Sequence, residues 1–170
     1  MRKIMLFTSF ALLLTACGQT ATVDEPVIGT QSFQQMMPVK GKVEVPGHGE
    51  EKWFAYGALN GNQWTPANGV VTAHFFEDAA TIFTMQINVE PSMDGTFYEV
   101  WIRDPKSQKS LSAGHLTNHF SDARHGLKFE SSDDLRSYSD VRVTLEKDDG
   151  DTTASTNVIA TGTLKPTKRR

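Results

Sequence analysis

The chain has 170 residues, of which 38% are hydrophobic, and a formal net charge of −3 at pH 7. This length and apolar content suit one domain with its own core. The mildly acidic balance excludes nucleic acid as a partner, because binding the phosphate backbone requires a basic surface. The single cysteine excludes an internal disulfide, so the packing of the core must hold the fold together.

Residues 1–16 predict the signal peptide of a bacterial lipoprotein. Two cations at positions 2 and 3 precede an apolar run at 4–14, which is shorter than the roughly 20 residues that a membrane span requires. Leu14-Thr-Ala-Cys17 resembles the lipobox, in which the cysteine receives a diacylglycerol and becomes the first residue of the mature protein. The alternative is an ordinary secretory signal in which Cys17 has no role. We expect lipidation of Cys17, with palmitate-type acyl chains as the membrane anchor and no other cofactor.

Cleavage before Cys17 removes Arg2 and Lys3, which leaves 15 Lys and Arg against 20 Asp and Glu, a net charge of −5. We expect residues 17–39 to form the lipidated cysteine and a flexible tether, because this stretch is rich in Thr, Gln, Gly and Pro. Residues 40–165 form the domain, and 166–170 form a basic tail. We expect a lipid-anchored protein of the cell envelope that faces the periplasm or the exterior. Gly18, which is not an aspartate, favours the outer membrane in a cell with two membranes.

From residue 40 onward the pattern becomes that of β-strands. In 83–89, for example, apolar and polar residues alternate, which predicts one buried face and one wet face. Turn residues follow the strands, as in Asn60-Gly-Asn62 and Asp148-Asp-Gly-Asp151. The clearest strand candidates are 42–45, 53–59, 70–76, 83–89, 97–102, 127–129, 141–145 and 158–164. The pattern predicts an all-β, antiparallel β-sandwich of about eight or nine strands, Ig-like, with at most one short helix, at 132–138.

Two segments carry a resemblance to a known family. Gly95-Thr-Phe-Tyr-Glu-Val-Trp-Ile102, followed by Ser110-Leu-Ser-Ala-Gly114, is similar to a segment of the carboxy-terminal extracytoplasmic domain of anti-sigma-K factors. Val141-Arg-Val-Thr-Leu-Glu146 and the strand at 158–164 resemble the closing strands of that domain. The resemblance covers roughly residues 55–165, although the turn after Glu146 lacks the proline of the family pattern.

The resemblance implies a β-sandwich outside the membrane with a regulatory role. In the family, this domain is joined through a transmembrane helix to a cytoplasmic segment that holds a sigma factor. We find neither in this sequence, so we expect the fold to carry over and sigma-factor sequestration not to. Any signalling must then pass through another protein, which makes an envelope protein the expected partner.

The candidate metal ligands are His115, His119 and His125, the only histidine cluster. On a helix, a four-residue spacing would place the first two imidazoles on one face, as a zinc or copper site needs. Met93 or Asp122 would be additional ligands. Loop residues surround these histidines, so the alternative is exposed loop histidines without a ligand.

No sequence motif for a catalytic nucleophile is present, and we do not expect an enzyme. Trp101 is explained by core filling, with a recognition surface as the alternative. The sequence therefore predicts a non-enzymatic envelope lipoprotein whose domain binds a partner protein or ligand, with envelope sensing or sigma-factor regulation as its candidate role. The alternative is a copper- or zinc-binding lipoprotein that uses the histidine loop.

Overall fold

The computed structural model describes residues 43–168, which form ten antiparallel β-strands and no helix. The strands are β1 (Glu44–Val45), β2 (Gly49–Gly61), β3 (Asn68–Phe76), β4 (Thr81–Asn88), β5 (Thr96–Arg103), β6 (Ser110–His115), β7 (Arg124–Ser131), β8 (Asp140–Lys147), β9 (Val158–Thr163) and β10 (Lys165–Pro166). The predicted signal peptide and Cys17 lie outside the described residues, as does the predicted tether. No helix that could cross a membrane occurs between residues 43 and 168.

The strands form one sheet in the order β6-β5-β8-β9-β2-β3-β4-β7, with β1 and β10 paired to β2. The sheet folds over on itself, so that the half β6-β5-β8-β9 and the half β2-β3-β4-β7 both contribute to the main core. The predicted all-β antiparallel class is confirmed. Its two layers are the two halves of one continuous sheet.

The alternation predicted at 83–89 is confirmed in β4. Phe83, Met85 and Ile87 point into the main core and are each 2% exposed, whereas Gln86 and Asn88 face outward. Burial of one such side chain contributes roughly 1.5–3 kcal/mol. This alternation fixes which side chains of the half β2-β3-β4-β7 reach its outer face.

One end of that outer face is covered by residues 43–48, which we call the strap. Val43 and Val45 of the strap pack with Phe76 and Ile82 of the sheet in a second apolar cluster. His48 fastens the strap, because its Nδ1 lies 2.7 Å from Asp78 Oδ2 and its Nε2 lies 3.2 Å from Glu130 Oε1. The chain therefore enters the domain at the end of the sheet that carries the β3–β4 turn, which we call the near end.

The short helix considered for 132–138 does not form. Leu135 is 5% exposed within the main core, and its N–H donates to Thr81 Oγ1 at 3.1 Å. The next residue, Arg136, pairs with Asp134 and lies 4.1 Å from the centre of the Phe75 ring. Leu135 is thus held in the core while Arg136 is held by Asp134 and Phe75. The segment that carries them is an irregular connection and not a helix.

Trp101 links the two segments on which the family resemblance depends. Its indole N–H donates to Thr144 Oγ1 at 3.1 Å, and the Thr144 hydroxyl donates to the Glu146 carboxylate. That carboxylate also accepts the backbone N–H of Ser155. Thr144 is 1% exposed and Glu146 is 7% exposed, so these polar groups satisfy one another out of water. The half-buried Trp101 therefore has a structural role.

Replacing Thr144 by valine should destabilise the domain, because the shape is kept while the Trp101 N–H and the Glu146 carboxylate each lose a buried partner. We expect the free energy of unfolding to fall by about 1–3 kcal/mol. Urea denaturation of the variant and the wild type measures the difference. Thr161→Val, at an exposed position of β9, is the matched control and should change little. Equal stabilities for the two variants would contradict the structural role of the hydrogen bonds that connect Trp101, Thr144 and Glu146.

Candidate functional site

A groove of about 650 Å³ lies on the outer face of the half β2-β3-β4-β7. Its lining residues are Ala58, Leu59, Asn60, Asn68, Gly69, Val70, Gln86, Ile87, Asn88, Thr117, His119, Phe120, Arg124, His125 and Gly126. The volume lies within the range of roughly 300–1,000 Å³ that is typical of ligand sites. We call this cavity the outer-face groove.

The floor of the groove is set by the register of four strands. Asn60 of β2 pairs with Asn68 of β3, Asn68 pairs with Asn88 of β4, and Asn88 pairs with Arg124 of β7. Because paired residues project on the same side of a sheet, these four side chains form one row across the outer face.

A second row of the floor runs parallel to the first, two residues away from it along each strand. Ala58, Val70, Gln86 and Gly126 are register partners in it. Val70 is 55% exposed, and Gly126 brings no side chain above the sheet. This row gives the groove a low and partly apolar floor.

The wall of the groove is the β6–β7 loop, residues 116–123. Thr117 exchanges two backbone hydrogen bonds of 2.9 Å with Gly126, which brings the loop against β7. Within the loop, Asn118 Nδ2 donates to the Asp122 carbonyl at 2.5 Å and Asn118 Oδ1 accepts the N–H of Phe120 at 3.2 Å. The loop is thus held by its own hydrogen bonds and presents Phe120, 63% exposed, at the rim.

The charged groups at the rim neutralise each other. Arg124 donates from Nε and Nη2 to Asp122 Oδ2, at 2.8 and 2.6 Å. The Arg124 side chain holds the pKa of the Asp122 carboxyl below its ordinary value, and the carboxylate raises the pKa of the guanidinium in turn. The guanidinium also lies 4.2 Å from the centre of the Phe120 ring, a cation–π contact that orients both side chains.

The three predicted metal ligands occupy three different environments. His115 ends β6 and stacks on Phe97 with ring centres 4.0 Å apart. His119 lies in the wall, with Nε2 3.2 Å from Thr117 Oγ1. His125 lies in β7 and is 6% exposed, with Nδ1 3.0 Å from the Ala123 carbonyl.

Between residues 43 and 168, no three His, Cys, Asp or Glu side chains are grouped as a metal site requires. The metal role of His115, His119 and His125 stays a prediction. The alternative of exposed loop histidines does not describe His125, because its ring packs edge-on against Tyr98 with centres 5.4 Å apart. His119 and His125 both line the outer-face groove.

A buried acid–imidazole pair beneath the strap was missed by the sequence reasoning. Glu51 Oε1 lies 2.6 Å from His74 Nδ1, and the two side chains are 4% and 2% exposed. His74 Nε2 lies 3.2 Å from Thr72 Oγ1, and the signal for this arrangement was a histidine inside the apolar stretch 70–76.

Although the order acid–imidazole–hydroxyl resembles a catalytic triad, the surroundings give it a structural role. The imidazole lies between Phe54 and Phe76, with ring centres 5.0 and 6.3 Å away. The Thr72 hydroxyl is also hydrogen-bonded to Thr84 at 2.7 Å. The pair is therefore almost wholly buried, and its members satisfy each other's polar groups under the strap.

The Asp122–Arg124 pair should make the loop that forms the wall sensitive to acid. Because the folded-state pKa of Asp122 lies below 3.8, its contribution to stability is present above that value and is lost as pH falls through the lowered folded pKa. The thermal midpoint of Asp122→Asn should therefore lie below that of the wild type at neutral pH, and the gap should close in acid. Calorimetric scans at a series of pH values measure it. Asp94→Asn is the control at an exposed carboxylate, and a gap independent of pH would contradict the assignment.

Comparisons with known proteins identify the family. The family described as "Anti-sigma-K factor rskA, C-terminal" matches residues 5–164. No curated protein and no solved structure matches the chain. The matched region includes both segments that carried the resemblance, and the family is one of regulatory proteins, non-enzymatic in general. The chain belongs to the family of the anti-sigma-K factor carboxy-terminal domain.

Proposed function

We propose that the protein is a non-enzymatic, lipid-anchored binding module of the cell envelope. In this role its domain recognises a ligand or partner protein at the end of the sheet farthest from the anchor and contributes to anti-sigma-type regulation. The observation that carries the proposal is the position of the exposed apolar side chains. The three most exposed of the large apolar side chains in residues 43–168 lie on the loops at the end opposite to the strap.

The two ends of the sheet are defined by the strand register. The strap, the β3–β4 turn and the start of β2 meet at the near end, where the Glu77 N–H donates to the Glu50 carbonyl at 3.0 Å. The loops 62–67, 89–95 and 116–123 all lie at the opposite end of the same strands, which we call the far end.

Each of these three far-end loops carries one large exposed apolar side chain. Trp64 is 82% exposed, Met93 is 73% exposed and Phe120 is 63% exposed. Apolar side chains gathered at one end of a protein mark interaction surfaces, and aromatic residues are favoured anchors at such surfaces. The outer-face groove opens beside this surface, because Phe120 belongs to both.

The predicted anchor agrees with this orientation. Cys17 precedes the strap in the chain, so a lipid on Cys17 and the predicted tether would reach the domain at the near end. The far end is then the end of the domain that lies farther from the point of attachment. A regulatory signal from such a domain passes through another protein, because the binding surface stays outside the membrane.

Replacing Cys17 by serine tests the anchor. The serine hydroxyl does not accept the diacylglycerol, so we expect a precursor that the lipoprotein peptidase does not cleave. Mass spectrometry of the protein purified from the native membrane detects both the missing lipid and the uncut signal peptide. A Cys17→Ser protein that is released at its normal mature size would contradict the lipobox assignment.

A double substitution at the far end tests the recognition role. Trp64→Ser with Phe120→Ser removes two exposed anchors without opening the core, so the protein should fold and reach the membrane as the wild type does. In a strain that lacks the wild-type gene, this variant should give the transcript profile of the deletion strain under envelope stress. RNA sequencing measures that profile.

The control for this experiment is Tyr56→Ser, which removes an aromatic side chain that is 55% exposed but lies outside the far end. It should keep the wild-type transcript profile. A double variant that also keeps the wild-type profile, in conditions where the deletion strain differs, would overturn the proposed role of the far end.

A further inference from the structure

The floor of the outer-face groove carries a cluster of side-chain amides. Asn60, Asn68 and Asn88 stand side by side in one row, and Gln86 stands in the next. All four are exposed. Asn88 Nδ2 donates to Asn68 Oδ1 at 3.2 Å, and within residues 43–168 the second N–H of Asn88 and both N–H groups of Asn68 make no hydrogen bond to the protein.

From this row we infer that the outer-face groove binds a neutral saccharide, as a segment of a glycan chain. The inference rests on the proposed binding role of the far end and names the ligand class for the groove. Each carboxamide offers one acceptor oxygen and two N–H donors. A sugar hydroxyl is itself both a donor and an acceptor. A row of uncharged amides can therefore form hydrogen bonds with a row of uncharged ring hydroxyls.

The charge of the groove favours a neutral ligand. Within the described part of the chain no Asp or Glu lines the groove, and Arg124 is neutralised by Asp122 at 2.6 Å. Recognition of a phosphate or carboxylate depends on charge-assisted bonds from cations such as arginine. The one arginine of the groove already directs two of its N–H groups to a carboxylate, and no lysine is among the lining residues, so neither of these permanently charged side chains is left unpaired for an anionic ligand.

The apolar part of the groove fits the other face of a sugar. Phe120 stands at the rim and Val70 lies on the floor, and both are more than half exposed. The C–H groups of a pyranose ring pack against such surfaces while its hydroxyls reach outward to the amides. An acyl chain would fit poorly, since it would bury the amides without hydrogen bonds.

The shape of the groove separates a glycan from a peptide strand. A peptide that extends a sheet needs an open backbone edge, and beside the groove the edge of β7 is already occupied by Thr117. The groove instead presents the face of the sheet. Its volume of about 650 Å³ suits a few sugar rings.

Binding of tetrasaccharides to the full-length lipidated protein in lipid nanodiscs tests the inference. Saturation-transfer NMR, which detects weak ligands, would be run with tetramers of glucose and of N-acetylglucosamine. At least one tetramer should bind, and Asn68→Ala with Asn88→Ala should weaken that binding about tenfold or more, since two amides lose their hydrogen bonds to the sugar. Phe120→Ser provides a second groove variant with the same expected loss.

The matched control is Gln63→Ala with Asn157→Ala, which removes two exposed amides outside the groove and should bind as the wild type does. Inorganic phosphate and tetra-alanine are the competing probes. Binding of neither tetramer, equal binding by the groove variants, or preferential binding of phosphate or peptide would overturn the inference. If the far-end variant still loses regulation in that case, the proposed function stands and only the ligand class is wrong.

Discussion

The groove depends on one pair of backbone hydrogen bonds, those between Thr117 and Gly126. They join β7 to the segment that follows β6. Because β6 and β7 stand at the two ends of the strand order, these bonds nearly close the sheet. Closure holds the β6–β7 loop against the outer face of the half β2-β3-β4-β7. Without it, the rows of amides would lie on an open face, and Phe120 and Arg124 would have no fixed position beside them.

The polar groups that the fold buries and those that it exposes have different roles. The Glu51–His74 pair and the chain Trp101–Thr144–Glu146 lie on the outer faces of opposite halves, and in both cases the members satisfy each other out of water. If they were unpaired, each such group would destabilise the domain by about 1–3 kcal/mol. The exposed amides of the groove have no such structural task, which is why they are the better candidates for recognition.

The segments that reveal the family also explain why the ligand could not be inferred from it. The residues at 95–114, 141–146 and 158–164 belong to β5, β6, β8 and β9, whereas the amides of the groove belong to β2, β3 and β4. The motifs that carry the resemblance therefore lie on the half of the sheet that holds the Trp101 chain, although the family match at 5–164 spans both halves. The recognition that we propose lies on the other half, where the sequence showed only asparagines in strands and at their ends.

Alternation along a strand predicted most of the fold, because it depends on neighbouring residues alone. It gave the buried face of β4, and the turn residues Asp148-Asp-Gly-Asp151 gave the end of β8. In β8 the predicted polar face is partly buried, because Thr144 and Glu146 pair with each other and with Trp101. The failures involve contacts between distant segments. His74 is buried at an outward-facing position near the strap, and His125 is buried in contact with Tyr98, whose ring stands almost perpendicular to the imidazole. The four-residue spacing of His115 and His119 would matter on a helix, but His115 ends a strand.

The length of the sheet affects how the domain would work at a membrane. β2 begins beside the strap and reaches the groove at Asn60, so one continuous strand of 13 residues joins the two ends. At about 3.3 Å for each residue, it spans about 40 Å. Under the proposed anchoring, a ligand in the groove would therefore lie about this far from the point where the strap enters the domain. In that arrangement, a partner protein that contacts the exposed Trp64, Met93 or Phe120 would meet the ligand and the domain together.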